Sequence, residues 1–309
     1  MTEALLNSLR EVFGARARAG EPLSRHTSFR IGGPADVWVE VDSVAEVQQV
    51  LSAAHRAAAP LFVLGGGTNL LVSDRGVRGI VMKLGRTFAQ IEWHPNGAGT
   101  HVYAGAAAPF KKLVTEAVHR ALAGLEFAEG IPGSLGGGLL MNAGAFGGEI
   151  AQVIEAIEGV DAERGPQRLP REVLRFGYRH FDLPRGFVVT HLALRLLPGD
   201  AEAVRTRKLE YKRRRETHQP LGYPNAGSIF KNPPGQYAGR LIEAAGFKGR
   251  RVGGAMVSEQ HANFIVNAGG ATAADVRALM AEIVAGVQQQ HQVTLQPEVK
   301  LVGDWGTSA

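Results

Sequence analysis

The sequence predicts an α+β protein of two or three domains, and three observations carry that expectation. Alternating apolar segments that read as strands are interspersed with amphipathic segments that read as helices. Only the first two strands form a β–α–β succession, and later strands follow one another over short connections. The chain's 309 residues, 45% hydrophobic and 20% charged, suffice to bury a large core. Segments 1–84, 85–197 and 198–309 are the expected domains.

In chain order, residues 1–14, "MTEALLNSLREVFG", read as a mixed amphipathic helix with an early acid rather than a secretory signal. No apolar run reaches the roughly 18 to 20 residues of a membrane span, so the cytoplasm is the expected compartment, with no membrane insertion. "ADVWVEV" (35–41) alternates as a strand, and the helix that follows carries Ser43 and Glu46 at capping-box spacing. "LFVL" (61–64) is the second strand and runs straight into a glycine loop, the place where β–α–β units receive ligands. A helix is expected from Pro109, strands at "VIEAIEGVDA" and "FVVTHLALRLL", and a basic helix at 205–218. The last segment adds the loop "NAGSIFKNP", helices at "AGRLIEAAG" and "TAADVRALMAEIVAGVQQQHQ", and a final strand "VTLQPEVKLVG".

Composition excludes several classes of chemistry. Without cysteine there are no disulfides, thiolate zinc sites or thiol nucleophiles. The ten histidines show no H-E-x-x-H pairing, so no metal is expected. A formal charge of +5 fits an anionic small ligand, and nucleic acid is not expected as a partner. No oligomeric state is fixed, and a monomer is compatible with the sequence.

Residues 130–148, "GIPGSLGGGLLMNAGAFGG", hold eight glycines in nineteen residues. Neither they nor "LGGGTNLLVSD" (64–74) match G-x-x-x-x-G-K-[ST] or G-x-G-x-x-G. Without Cβ atoms such backbones can bring N–H groups close to a pyrophosphate, and Ser134, Thr68 and Asn69 add side-chain donors. Each stretch taken alone reads equally as a tight turn.

Seven motifs in order, "RHTSFRIGGPAD", "LGGGTNLLVSD", "GLEFAEGIPGSLGGGLLMNAGAFGGEI", "FGYRH", "NAGSIFKNP", "VSEQHANFIVN" and "QPEVKLVG", give the chain a resemblance to the UDP-N-acetylenolpyruvoylglucosamine reductases over nearly its whole length. That resemblance implies an FAD-binding fold of the vanillyl-alcohol-oxidase type in two subdomains, with a third domain for the sugar nucleotide and a terminal strand returning toward the flavin. It implies FAD as cofactor, NADPH as co-substrate, and UDP-N-acetylglucosamine enolpyruvate as the substrate reduced to UDP-N-acetylmuramate for the cell wall. Gly65, Gly66, Gly67, Thr68 and Asn69 on one side, and Gly133, Ser134 and Gly137 on the other, are the implied cofactor contacts, with Asn142 and Gly144 nearer the flavin end. Only "HFDLPRG" separates Arg179 from the strand at Phe187, which leaves no room for a tyrosine-bearing insertion and points to the compact subtype.

The same resemblance assigns Ser228 as proton donor, Arg179 as the arginine that clamps the carboxylate, and Glu298 as a catalytic acid. Read as isolated residues these are a turn serine, a surface arginine and a strand carboxylate. A planar guanidinium suits a carboxylate that gains charge during reduction. Glu298 could be protonated and donate a hydrogen bond, or orient Arg179 and water. Strand alternation puts Glu298 and Lys300 on one face and Val299 and Leu301 on the other, and Lys300 is expected by the flavin's N1 and O2 edge. Tyr178, Lys231, Asn232, His261 and Asn263 are the expected substrate contacts, with Arg213, Arg214 and Arg215 as further candidates for the diphosphate. Phe181 stands where the family pattern has serine, so no polar role is expected there.

Overall fold

The computed structural model describes residues 2–306. The chain divides into two compact units, Met1–Ala19 with Val37–Gly66 and Gly79–Arg215, and Gly20–Asp36 with Gly67–Arg78 and Glu216–Ala309. Each has its own apolar core. The units cut across the three expected segments, because Phe29, Ile31 and Leu71 from the N-terminal part of the chain belong to the second core.

In the first unit an antiparallel sheet runs in the order Gly165–Pro170, Ile154–Asp161, Phe187–Pro198, Thr100–Gly105, Ile91–Pro95, with Leu122–Ala123 pairing the long strand. Period-two burial explains it: Thr100, Val102 and Ala104 are buried while His101 and Tyr103 are half-exposed. Helix Phe110–His119 begins after Pro109, as expected, and buries Phe110, Leu113, Val114, Ala117 and Val118 along one stripe.

Two local expectations are corrected here. Strands Pro34–Val41 and Leu61–Leu64 flank helix Val44–Arg56, but Val77–Leu84 lies between them in the sheet and pairs in parallel with Leu61–Leu64. Ser43 caps that helix by accepting the Glu46 N–H at 3.2 Å, yet the capping box does not close. The Glu46 carboxylate accepts from the Asp42 N–H at 2.6 Å and from both terminal nitrogens of Arg16, and the charged partner outcompetes the backbone of Ser43.

The second unit is organised on helix Ala273–His291, which buries Val276, Leu279, Met280, Ile283 and Val287. Thr272 and Asp275 form a capping box at its start, and Asp74 accepts the Ala273 and Ala274 N–H groups at 2.8 and 2.9 Å. Strands Arg251–Val252, Ala255–Val257 and Ile265–Asn267 pair antiparallel, and Lys300–Val302 runs parallel to Leu70–Val72. The terminal strand is therefore shorter than expected. Pro297 has no N–H for the ladder, and the Glu298 and Val299 N–H groups both turn to the carbonyl of Ile229, as in a bulge. Val299 is consequently buried while Leu301 is 44% exposed, so these two do not share a face. Among the described residues no helix is long and apolar enough to cross a membrane.

Candidate active site

The two glycine regions meet within the first unit. A Cβ added to Gly66 would lie 2.4 Å from the Cα of Gly133 and 2.8 Å from the Ser134 nitrogen, and one on Gly65 would lie 2.7 Å from the Ser134 Oγ. Only glycine permits that approach. Gly133, at φ +100°, delivers the chain to Ser134, which caps the short helix Leu135–Leu140 by accepting the Gly137 N–H at 3.3 Å. The Gly137 amide is thus directed at Ser134 rather than outward. Gly136 and Gly138 are needed for packing, since a Cβ on them would meet Ala106 and the Phe110 ring at 2.9 Å. In the second unit Gly67, at φ +65°, presses on the carbonyl of His26, while half-buried Thr68 precedes Asn69.

Asn142 is buried and left-handed, at φ +40°. Its Oδ1 accepts the Ala151 N–H at 3.2 Å and its Nδ2 donates to the Gly177 carbonyl at 3.0 Å. The side chain is the strut between the glycine region and the hairpin carrying Arg179. Gly144 pairs with Glu149 in a tight antiparallel turn, where a Cβ would meet the Gly148 carbonyl at 2.5 Å.

The hairpin pairs Phe176–Gly177 with His180–Phe181, so Tyr178 and Arg179 are its two loop residues. Arg179 takes φ +56°, a left-handed conformation that costs a non-glycine residue roughly 1–2 kcal/mol and marks functional sites. Its guanidinium lies 5.3 Å from the Tyr178 ring centroid. Phe181 is buried and stacks on Phe176 at 4.6 Å, so the residue replacing serine anchors the hairpin by packing. Burial lowers the pKa of Arg215, the nearby Glu129 carboxylate opposes this, and the charge of Arg179 adds to it. Two guanidiniums in mutual electrostatic range favour an anion. Arg215 also lies over Phe146, whose ring stacks on Tyr211 at 4.1 Å.

In the second unit the Ser228 loop and Glu298 are bonded together. Glu298 N–H donates to the Ile229 carbonyl at 2.7 Å, and Lys231 N–H donates to the Gln296 carbonyl at 2.8 Å. Asn69 Nδ2 holds the Glu298 carbonyl at 3.2 Å, and its own carbonyl accepts from Lys300 N–H at 3.0 Å. Ser228, Glu298, Lys300 and Asn69, far apart in the sequence, thereby form one constellation.

Asn263 is bonded to the same loop. It is buried, its Oδ1 accepts the Phe230 N–H at 3.0 Å, and its Nδ2 donates to the Phe230 carbonyl at 2.8 Å. Its carbonyl accepts the Ile229 N–H at 2.9 Å. This amide reproduces a strand partner for the Ser228 loop. Asn232 likewise turns its Oδ1 to the Ala238 N–H at 3.0 Å, capping a helix. His261 accepts the Asn263 N–H on Nδ1 at 3.1 Å and is held neutral, its pKa lowered chiefly by burial. Among the described residues no group of three or more acidic or histidine side chains could hold a metal ion.

Residues 35–165 match the model of an FAD binding domain, and residues 219–302 match that of the UDP-N-acetylenolpyruvoylglucosamine reductase C-terminal domain. A reductase of that name, numbered 2, from Symbiobacterium thermophilum is 47% identical over 307 residues, 99% of this chain and 97% of the relative. The chain belongs to the UDP-N-acetylenolpyruvoylglucosamine reductase family. The Moorella thermoacetica member is 43% identical over 97% of this chain and 98% of its own length. The crystal structure of the Thermus caldophilus enzyme, MurB, superposes with a TM-score of 0.79 at 38% identity, covering 91% of this chain and 97% of that one.

The family's cofactor is FAD, and the residues fit it. The Gly65–Gly66 and Gly133–Ser134 backbones leave no room for side chains where they meet, the kind of cradle a diphosphate needs. Sequence reasoning missed Lys83, whose Nζ donates to the Gly65 carbonyl. The available signal was a lysine inside the apolar run "GIVMKL". It also missed Ser28, which donates its N–H to the Gly67 carbonyl at 3.0 Å and its hydroxyl to the Asn225 carbonyl at 2.7 Å.

Proposed function

We propose that this chain reduces the enolpyruvyl ether of UDP-N-acetylglucosamine enolpyruvate to the lactyl ether of UDP-N-acetylmuramate, a step in peptidoglycan precursor synthesis, with NADPH as reductant. When bound, FAD would supply the redox chemistry that links oxidation of NADPH to reduction of the double bond. The chain's residues bind the anion, bear the developing charge and deliver the proton. Arg179, fixed at a hairpin tip and electrostatically coupled to Arg215, grips the substrate carboxylate. Ser228 donates its hydroxyl proton to the carbon next to that carboxylate, and Lys231 stabilises the alkoxide left behind. Glu298 supports the charge that builds on the carboxylate. Lys300 would offer positive charge to the bound flavin, and Tyr178 contacts substrate. The segments 1–84, 85–197 and 198–309 are the functional divisions of this reading, and the cytoplasm is its compartment.

The single observation that supports the reading is the bond from Glu298 N–H to the Ile229 carbonyl, a backbone link between the residue proposed as acid and the residue that follows the proposed proton donor. The test is NADPH oxidation dependent on the enolpyruvate, compared with Ser228→Ala. The expected result is substrate-dependent turnover in the native enzyme and a loss of about 10²- to 10⁴-fold in the variant, with reduction by NADPH unchanged. No turnover in the native enzyme overturns the activity. Full reoxidation by substrate in the variant overturns the role of Ser228.

A further inference from the structure

We propose that Lys83 supplies the positive charge that meets the cofactor's diphosphate at the paired glycine loops, a role that rests on the FAD reading above. Lys83 occupies strand Val77–Leu84, amid the buried Ile80, Val81, Met82 and Leu84. In the parallel ladder it stands opposite Leu64, the last residue before the glycine loop. The C-terminal ends of parallel strands are where such sheets receive ligands. The Nζ donates to the Gly65 carbonyl, one residue from the point where Gly66 touches Gly133 and Ser134.

Charge balance makes the case. An ammonium has three donors and a full charge, and a largely buried one requires an anionic partner or loses stability. Here the acceptor is a neutral carbonyl, and among the described residues Glu40 is the carboxylate whose field acts on Lys83. Burial pushes the Lys83 pKa down and Glu40 opposes this. A diphosphate bound at the adjoining backbones brings the negative charge the site lacks, and the glycines that admit its oxygens leave the ammonium as the nearest cation on that strand. The simpler role, a lysine that only ties down Gly65, predicts that any hydrogen-bond donor of similar length would serve.

The test titrates apoprotein with FAD, following flavin fluorescence, for the native protein, Lys83→Met, Lys83→Gln and Lys83→Arg, at low and at moderate salt. Lys83→Met and Lys83→Gln should bind FAD about 10- to 100-fold more weakly, the value of a hydrogen bond to a charged group. Lys83→Arg should stay within a few fold. Salt should weaken FAD binding less in the two neutral variants, and riboflavin, which has no diphosphate, should bind all four alike. Native affinity in Lys83→Gln, or an equal loss for riboflavin and FAD, overturns the proposal in favour of loop support. Failure of the native apoprotein to take up FAD overturns the FAD reading itself, a separate and recognisable result.

Discussion

Asn263 illustrates how a residue in a functional motif can act at one remove. Its amide accepts the N–H and donates to the carbonyl of Phe230, two residues after Ser228, at 3.0 and 2.8 Å. Asn263→Ala leaves both buried groups without that partner, a loss of about 2–6 kcal/mol if each costs about 1–3. The variant should still bind the nucleotide substrate if the amide acts through the Phe230 backbone it bonds. The expected signature is a fall in kcat larger than the change in KM, with reduction by NADPH at the native rate. Stopped-flow measurement of the two half-reactions checks this. Equal loss in both half-reactions, without loss of stability, would sink the positioning role. Asn263→Asp should be no better, since a carboxylate can accept from the Phe230 N–H but repels its carbonyl.

At the level of elements, the glycine loops divide into two kinds. Gly136, Gly138, Gly144 and Gly148 are small because protein packs against them: Ala106, Phe110, the Gly148 carbonyl and Phe127 in turn. Gly65, Gly66 and Gly133 are small where two loops approach each other and, in the FAD reading, a diphosphate. Gly66→Ala drives a Cβ to 2.4 Å from the Gly133 Cα, which neither backbone can accommodate without moving. The expected outcome is about 1–3 kcal/mol of lost stability, the usual range for overpacking, together with weaker FAD binding. Thermal unfolding of the apoprotein and an FAD titration measure the two effects separately. A variant with native stability and native FAD affinity would show that the loops do not have to touch.

Across the whole molecule, local patterns were legible and long-range ones were not. Strand alternation gave Pro34–Val41 and Phe187–Pro198, and the cap at Thr272 began its helix where expected, because these depend on neighbours in sequence. The Ser228–Glu298 connection and the assignment of Phe29 and Leu71 to the second core depend on tertiary contacts that no periodicity encodes. Motif resemblance pointed to Arg179, Ser228 and Glu298 as it did to Asn142 and Asn263, but the backbone bonds made by the last two amides depend on tertiary contacts that no motif spells out. His261 follows from the same contacts and sets a pH dependence for stability. Its Nδ1 accepts the Asn263 N–H, so a proton there would oppose a donor, and burial lowers its pKa from the ordinary 6.5. The charges of His218 and Lys248 push in the same direction, while Glu243 and a backbone hydrogen bond oppose them. A folded pKa below the unfolded one means that the contribution is complete above about 6.5 and is lost as pH falls through the window beneath it. Unfolding free energy should therefore decline as pH falls below about 6.5, with this single proton contributing at most about 1.4 kcal/mol per pH unit. His261→Gln, which cannot titrate, should flatten that part of the slope. Urea midpoints across the window decide it, and identical slopes in the native protein and the variant would refute the neutral, buried imidazole.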